Sequence, residues 1–155
     1  VGMVHGDVKP ENLVLAPTGH ATLLDLGFAS SKEESNDWAN RPVMGSLAYI
    51  APELVTSTYS AGPPSDQYSL GVMLYELLAG RLPFDGNDPA ELVAQHRGQK
   101  PVCLRTLRPD IPKSVASLVH SLLSKDPLRR GGTHGELAER LVRLEIDSFA
   151  FRAGA

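Results

Sequence analysis

A mainly α-helical domain carrying one small β-hairpin is the fold class this sequence predicts. Three observations carry it. Two short apolar runs, "NLVL" and "ATLLDL", are separated by the turn-forming "APTGH". From Ser65 onward, capped segments with helical apolar spacing follow one another. Between these regions runs "ASSKEESNDWANRPVMGS", a polar stretch with no apolar period.

Pro17, Thr18 and Gly19 supply turn chemistry between the two apolar runs, so they read as a hairpin. The polar stretch reads as a loop, and loops of that length in compact domains are usually functional or disordered. In "SDQYSLGVMLYELLAG", Ser65 is the expected N-cap and Gly80 the stop. Leu70 to Ala79 is apolar on almost every face, which predicts a helix buried all round; it is too short for a membrane span and carries Glu76. In "DPAELVAQHRG", Asp88 caps, Pro89 takes the first helical position, Glu91 closes a capping box and Gly98 stops the helix. "PKSVASLVHSLLSKD" places Val115, Leu118, Val119, Leu122 and Leu123 on one face. "THGELAERLVRLE" opens with a second capping box, Thr133 to Glu136, and lines up Leu137, Leu141 and Leu144. Beyond about Ile146 no period is visible. The division is therefore a domain over residues 1–145 and a tail or linker over 146–155.

With 155 residues, one domain with a real core is expected. A formal net charge of -3 argues against a nucleic-acid or anionic-membrane surface. Cys103 is the only cysteine, so no internal disulfide is possible, and a reducing, cytoplasmic compartment is the expectation. Residue 1 is Val and no charged-then-apolar leader follows, so the sequence reads as a piece of a longer chain.

The chemistry concentrates in "HGDVKPEN", residues 5–12. One carboxylate (Asp7), one ammonium (Lys9) and one carboxamide (Asn12) are held on one loop that Pro10 keeps from becoming a regular helix. The hairpin brings the next acid, Asp25 of "LLDLG", back towards Asn12, and Gly27 lets the backbone turn after it. Oxygen ligands on adjacent loops suit a hard cation such as Mg²⁺, which keeps phosphate or water for its remaining positions. Singly, each residue has an ordinary explanation as a turn, cap or buried polar group. Their joint order and spacing do not.

"HGDVKPEN" resembles the protein-kinase catalytic loop, "DLG" the metal-binding motif, and "GSLAYIAPE" the end of the activation segment, in the family's chain order. The resemblance runs from Val1 to about Leu144 and points to the C-terminal, helical lobe of a eukaryotic-type (Hanks-type) serine/threonine protein kinase. It implies transfer of the ATP γ-phosphate to a Ser or Thr hydroxyl of a protein substrate, with Mg²⁺. By resemblance, Asp7 accepts the proton of the hydroxyl or orients it, and Lys9 neutralises the γ-phosphate. Asn12 and Asp25 hold Mg²⁺, and Ser46 closes on Asp7 and Lys9. Lys9 with Ser46 argues for Ser/Thr over Tyr substrates. Structural roles are implied for His5, Gly27, Asp66, which hydrogen-bonds the catalytic-loop backbone, and Glu53, for which Arg129 is the expected ion-pair partner.

The sequence departs from the pattern at two positions. Gly6 stands where many kinases carry an arginine that pairs with an activation-loop phosphate, so activation without that phosphate is expected; Ser30, Ser31 and Ser35 are candidate phosphosites by resemblance, though a polar loop collects serines in any case. Leu26 replaces a Phe and stays apolar. No glycine-rich loop, strand lysine or helix glutamate of an N-terminal lobe occurs in these residues. The expectation is a lobe that needs its missing N-terminal partner, is inactive alone, and exposes an apolar patch near Leu74. The alternative is a pseudokinase or kinase-lobe binding module without catalysis. A related small-molecule phosphotransferase is disfavoured by "GSLAYIAPE", which shapes a groove for a protein substrate.

Overall fold

A computed structural model of the chain describes residues 4–24, 47–55 and 62–153, with side chains described to residue 145. Pro10 starts a single 3-10 turn, Pro10–Asn12, because its fixed φ suits a first helical position. The chain then enters β1 (Leu13–Leu15), turns, and returns as β2 (Ala21–Leu23). The strands pair antiparallel, with Leu13 opposite Leu23 and Leu15 opposite Ala21. Much of the hairpin is uncovered: Val14 and Leu15 are 49% and 65% exposed, Leu23 and Leu24 37% and 46%.

Helices dominate the remaining described residues: α1 (Pro63–Ala79), α2 (Pro89–Gly98), the single turn α3 (Leu104–Leu107), α4 (Lys113–Leu122) and α5 (His134–Ala153). Short 3-10 turns cover Pro52–Val55 and Pro127–Arg129. α1 ends as its sequence predicts, at Gly80 with φ 71°, but it begins earlier. Pro63 and Pro64 occupy the first two helical positions, so Gly62 is the N-cap and Ser65 sits in the first turn, its Oγ accepting from Gly62 N. The Thr133–Glu136 capping box forms as predicted, whereas at Asp88 only the cap's own bond forms, because the Glu91 carboxylate accepts from Asn87 N instead of Asp88 N. Asp88 accepts from Glu91 N at 2.8 Å, and Glu136 accepts from Thr133 N while Thr133 Oγ1 accepts from Glu136 N. α5 runs without a break past Ile146, where the sequence shows no period.

The core lies where α1 meets α4 and α3, around Tyr68, Val72, Tyr75, Leu104 and Val119. Contact at the α1–α4 crossing is close because Gly71 has no side chain: a Cβ there would lie 2.7 Å from that of Leu122. The all-round burial expected of α1 is not observed. Leu77 is 60% exposed, because α4 and α5 cover only part of the helix, whereas Leu70 and Leu74 pack on Leu118, Leu122 and Leu137. A polar cluster crosses the core. Lys125 Nζ donates to the Tyr68 hydroxyl at 3.1 Å, which leaves the Tyr68 proton for His96 Nδ1 at 3.0 Å. Lys125 also sits 4.1 Å from the centre of the Phe84 ring. Burial, with help from the Lys125 charge, lowers the pKa of His96 to about 4, so His96 is neutral and able to accept. Burial and the nearby Arg130 lower that of Lys125 to about 8.

Candidate active site

The loop over residues 5–12 is held from below by α1. Asp66, in its first turn, accepts from His5 N through Oδ2 and from Gly6 N through Oδ1, each at 2.8 Å. Its place there also favours a negative charge beside the helix N-terminus. Gly6 has φ 78°, a left-handed conformation open to glycine at little cost, so the loop can present two consecutive amides to one carboxylate. His5 ties the loop to the hairpin. Its Nδ1 accepts from Asp7 N at 3.3 Å, so Nε2 carries the proton and donates to Leu24 O at 3.0 Å. Leu24 N donates in turn to Asn12 O at 2.7 Å. The residue immediately before Asp25 is therefore bonded to both ends of the loop. Asp25, Gly27 and Ser46 themselves lie outside the described residues, as do Leu26, Ser30, Ser31 and Ser35.

Two side chains converge on Asp7. Lys9 Nζ stands 2.7 Å from Asp7 Oδ2, and Asn12 Nδ2 donates to that same oxygen at 2.9 Å and to Asp7 O at 2.8 Å. Asp7 and Asn12 are buried, while Lys9 keeps 18% of its side chain exposed. Such a carboxylate is aimed and charge-compensated, with a cation at hand that reaches solvent. With Nδ2 engaged on Asp7, the carboxamide oxygen of Asn12 has no protein partner among the described residues. A neutral oxygen donor of this kind fits a hard divalent cation.

The segment that follows the polar stretch is clamped onto α1 at Tyr49, by two bonds. Tyr49 donates its hydroxyl to Glu76 at 2.6 Å, and Ser69 donates to Tyr49 O at 2.8 Å. Burial, then the Glu76 carboxylate, pushes the Tyr49 hydroxyl well above the usual tyrosine range. Further on, Glu53 takes a two-pronged ion pair. Its partner is Arg130 and not Arg129: Arg130 Nη1 meets Oε1 at 2.6 Å and Nη2 meets Oε2 at 2.7 Å. Arg130 is fully buried and also donates to the carbonyls of Ser124 and Pro64, while Ser65 Oγ donates to Glu53. The turn Pro127–Arg129 explains the correction. With about three residues per 3-10 turn, Arg129 stacks over Asp126, 3.3 Å away, and its side chain is 80% exposed. Arg130, one residue on, faces inward. The signal was present in "DPLRR": an N-cap Asp followed by Pro sets the turn that directs Arg129 outward.

Residues 1–142 match the family model "Protein kinase domain". The chain is 37% identical over 141 residues to the serine/threonine-protein kinase PknA of Mycobacterium tuberculosis, covering 91% of this chain and 32% of PknA. It is 34% identical over 146 residues to a probable serine/threonine-protein kinase of Clostridium perfringens, covering 94% and 21%. To the serine/threonine-protein kinase PrkC of Bacillus subtilis it is 32% identical over 128 residues, covering 83% and 20%. The chain thus spans between a fifth and a third of the length of these curated relatives. It belongs to the protein kinase family, and the relatives it matches are serine/threonine kinases of the Hanks type.

Proposed function

We propose that these residues are the catalytic, C-terminal lobe of a serine/threonine protein kinase that transfers the ATP γ-phosphate to a protein Ser or Thr hydroxyl. The observation that carries the proposal is Asp7 Oδ2, held between Lys9 Nζ and Asn12 Nδ2 at 2.7 and 2.9 Å on a loop pinned by Asp66. A decayed binding module has no need of that arrangement.

The chain's own residues account for each part of the transfer. The substrate hydroxyl oxygen forms the new bond to the γ-phosphorus as the bond to ADP breaks, and Asp7 orients the hydroxyl and receives its proton. Lys9 lies close enough to Asp7 to neutralise charge on the transferred group. Phosphoryl transfer asks chiefly for such positioning and neutralisation. Asn12, through its carboxamide oxygen, and Asp25 would hold Mg²⁺; when bound, the cation supplies charge neutralisation to the phosphates. Ser46 is assigned to the closing contact on Asp7 and Lys9, and this contact with Lys9 favours Ser/Thr over Tyr. ATP binding is assigned jointly to this lobe and an N-terminal lobe, and residues 1–155 alone are expected to transfer phosphate negligibly. The uncovered apolar hairpin, Val14, Leu15, Leu23 and Leu24, supports this, because such a surface calls for a covering partner. No described helix is long and apolar enough to cross a membrane; a cytoplasmic site of action is part of the proposal.

Phosphate transfer from γ-labelled ATP to a protein substrate, followed by phosphoamino-acid analysis, tests the reading in the complete protein. Label is expected on Ser or Thr, with a loss of roughly 10²–10⁴-fold in Asp7→Asn, the usual scale for a removed general base. Transfer undiminished in Asp7→Asn would overturn it.

A further inference from the structure

A second site lies away from the catalytic loop. A cavity of about 620 Å³ opens between the segment joining α2 to α3 and the end of α4. Pro101 and Leu123 line it, together with Lys100, His120, Ser124 and Arg129. The polar groups among these are nitrogen or hydroxyl donors, and no carboxylate lines the cavity among the described residues. That contrasts with a chain whose net charge is -3.

The donors have little else to do. Lys100 is exposed and makes no ion pair among the described residues. Among the described residues Arg129 is engaged by the exposed Asp126 alone, a surface pair of small energy that a ligand can exchange. His120 Nε2 accepts from Leu104 N at 3.1 Å, so in the neutral ring Nδ1 carries the proton, and that N–H has no partner among the described residues. Burial lowers the pKa of His120, which keeps the ring in this neutral form. The walls are tethered: the Tyr75 hydroxyl donates to Val102 O at 2.9 Å, fixing the α2–α3 segment to α1. Lys125 also lines the cavity, but its ammonium is engaged by Tyr68 and Phe84.

We propose that this cavity binds a phosphomonoester carried on a protein side chain. Two full cations with neutral N–H and O–H donors suit a dianion with three acceptor oxygens better than a single carboxylate. The volume lies within the range of roughly 300–1,000 Å³ typical of ligand pockets, larger than an isolated ion needs, and Pro101 and Leu123 offer apolar wall to the flanking peptide. The site goes beyond the proposed catalysis and does not depend on it.

Fluorescence anisotropy with the complete protein and a labelled phosphoserine peptide tests the proposal without turnover. The probes are that peptide, its unphosphorylated form, and inorganic phosphate as competitor. Lys100→Glu and Arg129→Glu alter exposed side chains, so folding is not at stake. Each is expected to weaken phosphopeptide binding by about tenfold or more, as loss of a charge-assisted contact with added repulsion requires. Lys113→Glu, an exposed cation outside the cavity, should leave binding unchanged. Neither Lys100 nor Arg129 touches Asp7, so their effect separates this site from product binding at the catalytic loop. The proposal fails if the unphosphorylated peptide binds equally well, or if Lys113→Glu weakens binding as much as Lys100→Glu. It fails also if inorganic phosphate competes as strongly as the peptide, mole for mole, which would make this a site for free anion.

Discussion

Asp7 and Glu53 are both buried carboxylates paired with a cation, yet they are built in opposite ways. Asp7 draws Lys9 and Asn12 from its own loop, two and five residues on, and its cation keeps 18% of its side chain in solvent. Glu53 reaches 77 residues along the chain to Arg130, which is fully buried and bonded to two further carbonyls at 2.8 and 2.9 Å. The first arrangement can open towards a substrate. The second is closed, and it joins the Pro52–Val55 turn, the start of α1 and the segment before α5 into one unit. A local, compensated carboxylate suits chemistry; a distant, saturated one suits holding the fold.

The contrast can be broken most forcefully at Arg130. Arg130→Ala leaves Glu53 buried without its guanidinium and is expected to cost about 3–5 kcal/mol in urea unfolding. A cost below that of an ordinary surface change would show that the ion pair does not organise the fold. Next in size is a pH effect in the core. His96 titrates at about 4 in the fold against 6.5 for an unperturbed ring, so the unfolded chain binds the extra proton first. Stability contributed by neutral His96 is complete above about pH 6.5 and is lost as pH falls towards 4, by up to about 3 kcal/mol. His96→Gln should flatten that dependence, as measured by denaturation midpoints across the range; an unchanged pH profile would refute the burial of His96 beside Lys125 as its cause. Gly71→Ala follows, pressing a methyl against Leu122 at a cost of about 1–3 kcal/mol. A stabilised Gly71→Ala protein would show that α1 and α4 can separate freely. The smallest effect belongs to Arg129→Ala, within about 0.5 kcal/mol of the parent, as expected for an exposed pair.

What could be read from the sequence followed the range of the interactions. Capping at Asp88 and Thr133, the stop at Gly80 and the hairpin turn are settled within a few residues, and the structure has each of them. The grouping of Asp7, Lys9 and Asn12 is local in the same way. The start of α1 differs from the sequence expectation because Ser65 is a good cap by composition, while the geometry imposed by Pro63 and Pro64 moves the cap to Gly62. Arg129 and Arg130 are adjacent and chemically identical, so only the 3-10 turn decides which faces inward. The Tyr68–His96–Lys125 cluster joins residues 28 and 57 apart, and no local pattern announces it. Exposure of Leu77 depends on how far α4 and α5 reach around α1, which composition does not encode.

The most direct test of the division between chemistry and architecture measures two variants in two assays. In the complete protein, phosphate transfer from ATP to a protein serine and unfolding free energy would be recorded for Asp7→Asn and Arg130→Met. Asp7→Asn is predicted to lose transfer by about 10²–10⁴-fold while staying within about 1 kcal/mol of the parent in stability. Arg130→Met is predicted to lose stability by several kcal/mol at about the scale of a broken buried ion pair. Transfer retained in Asp7→Asn, or lost only in step with its unfolding, would contradict the assignment of Asp7 as the residue that carries the chemistry.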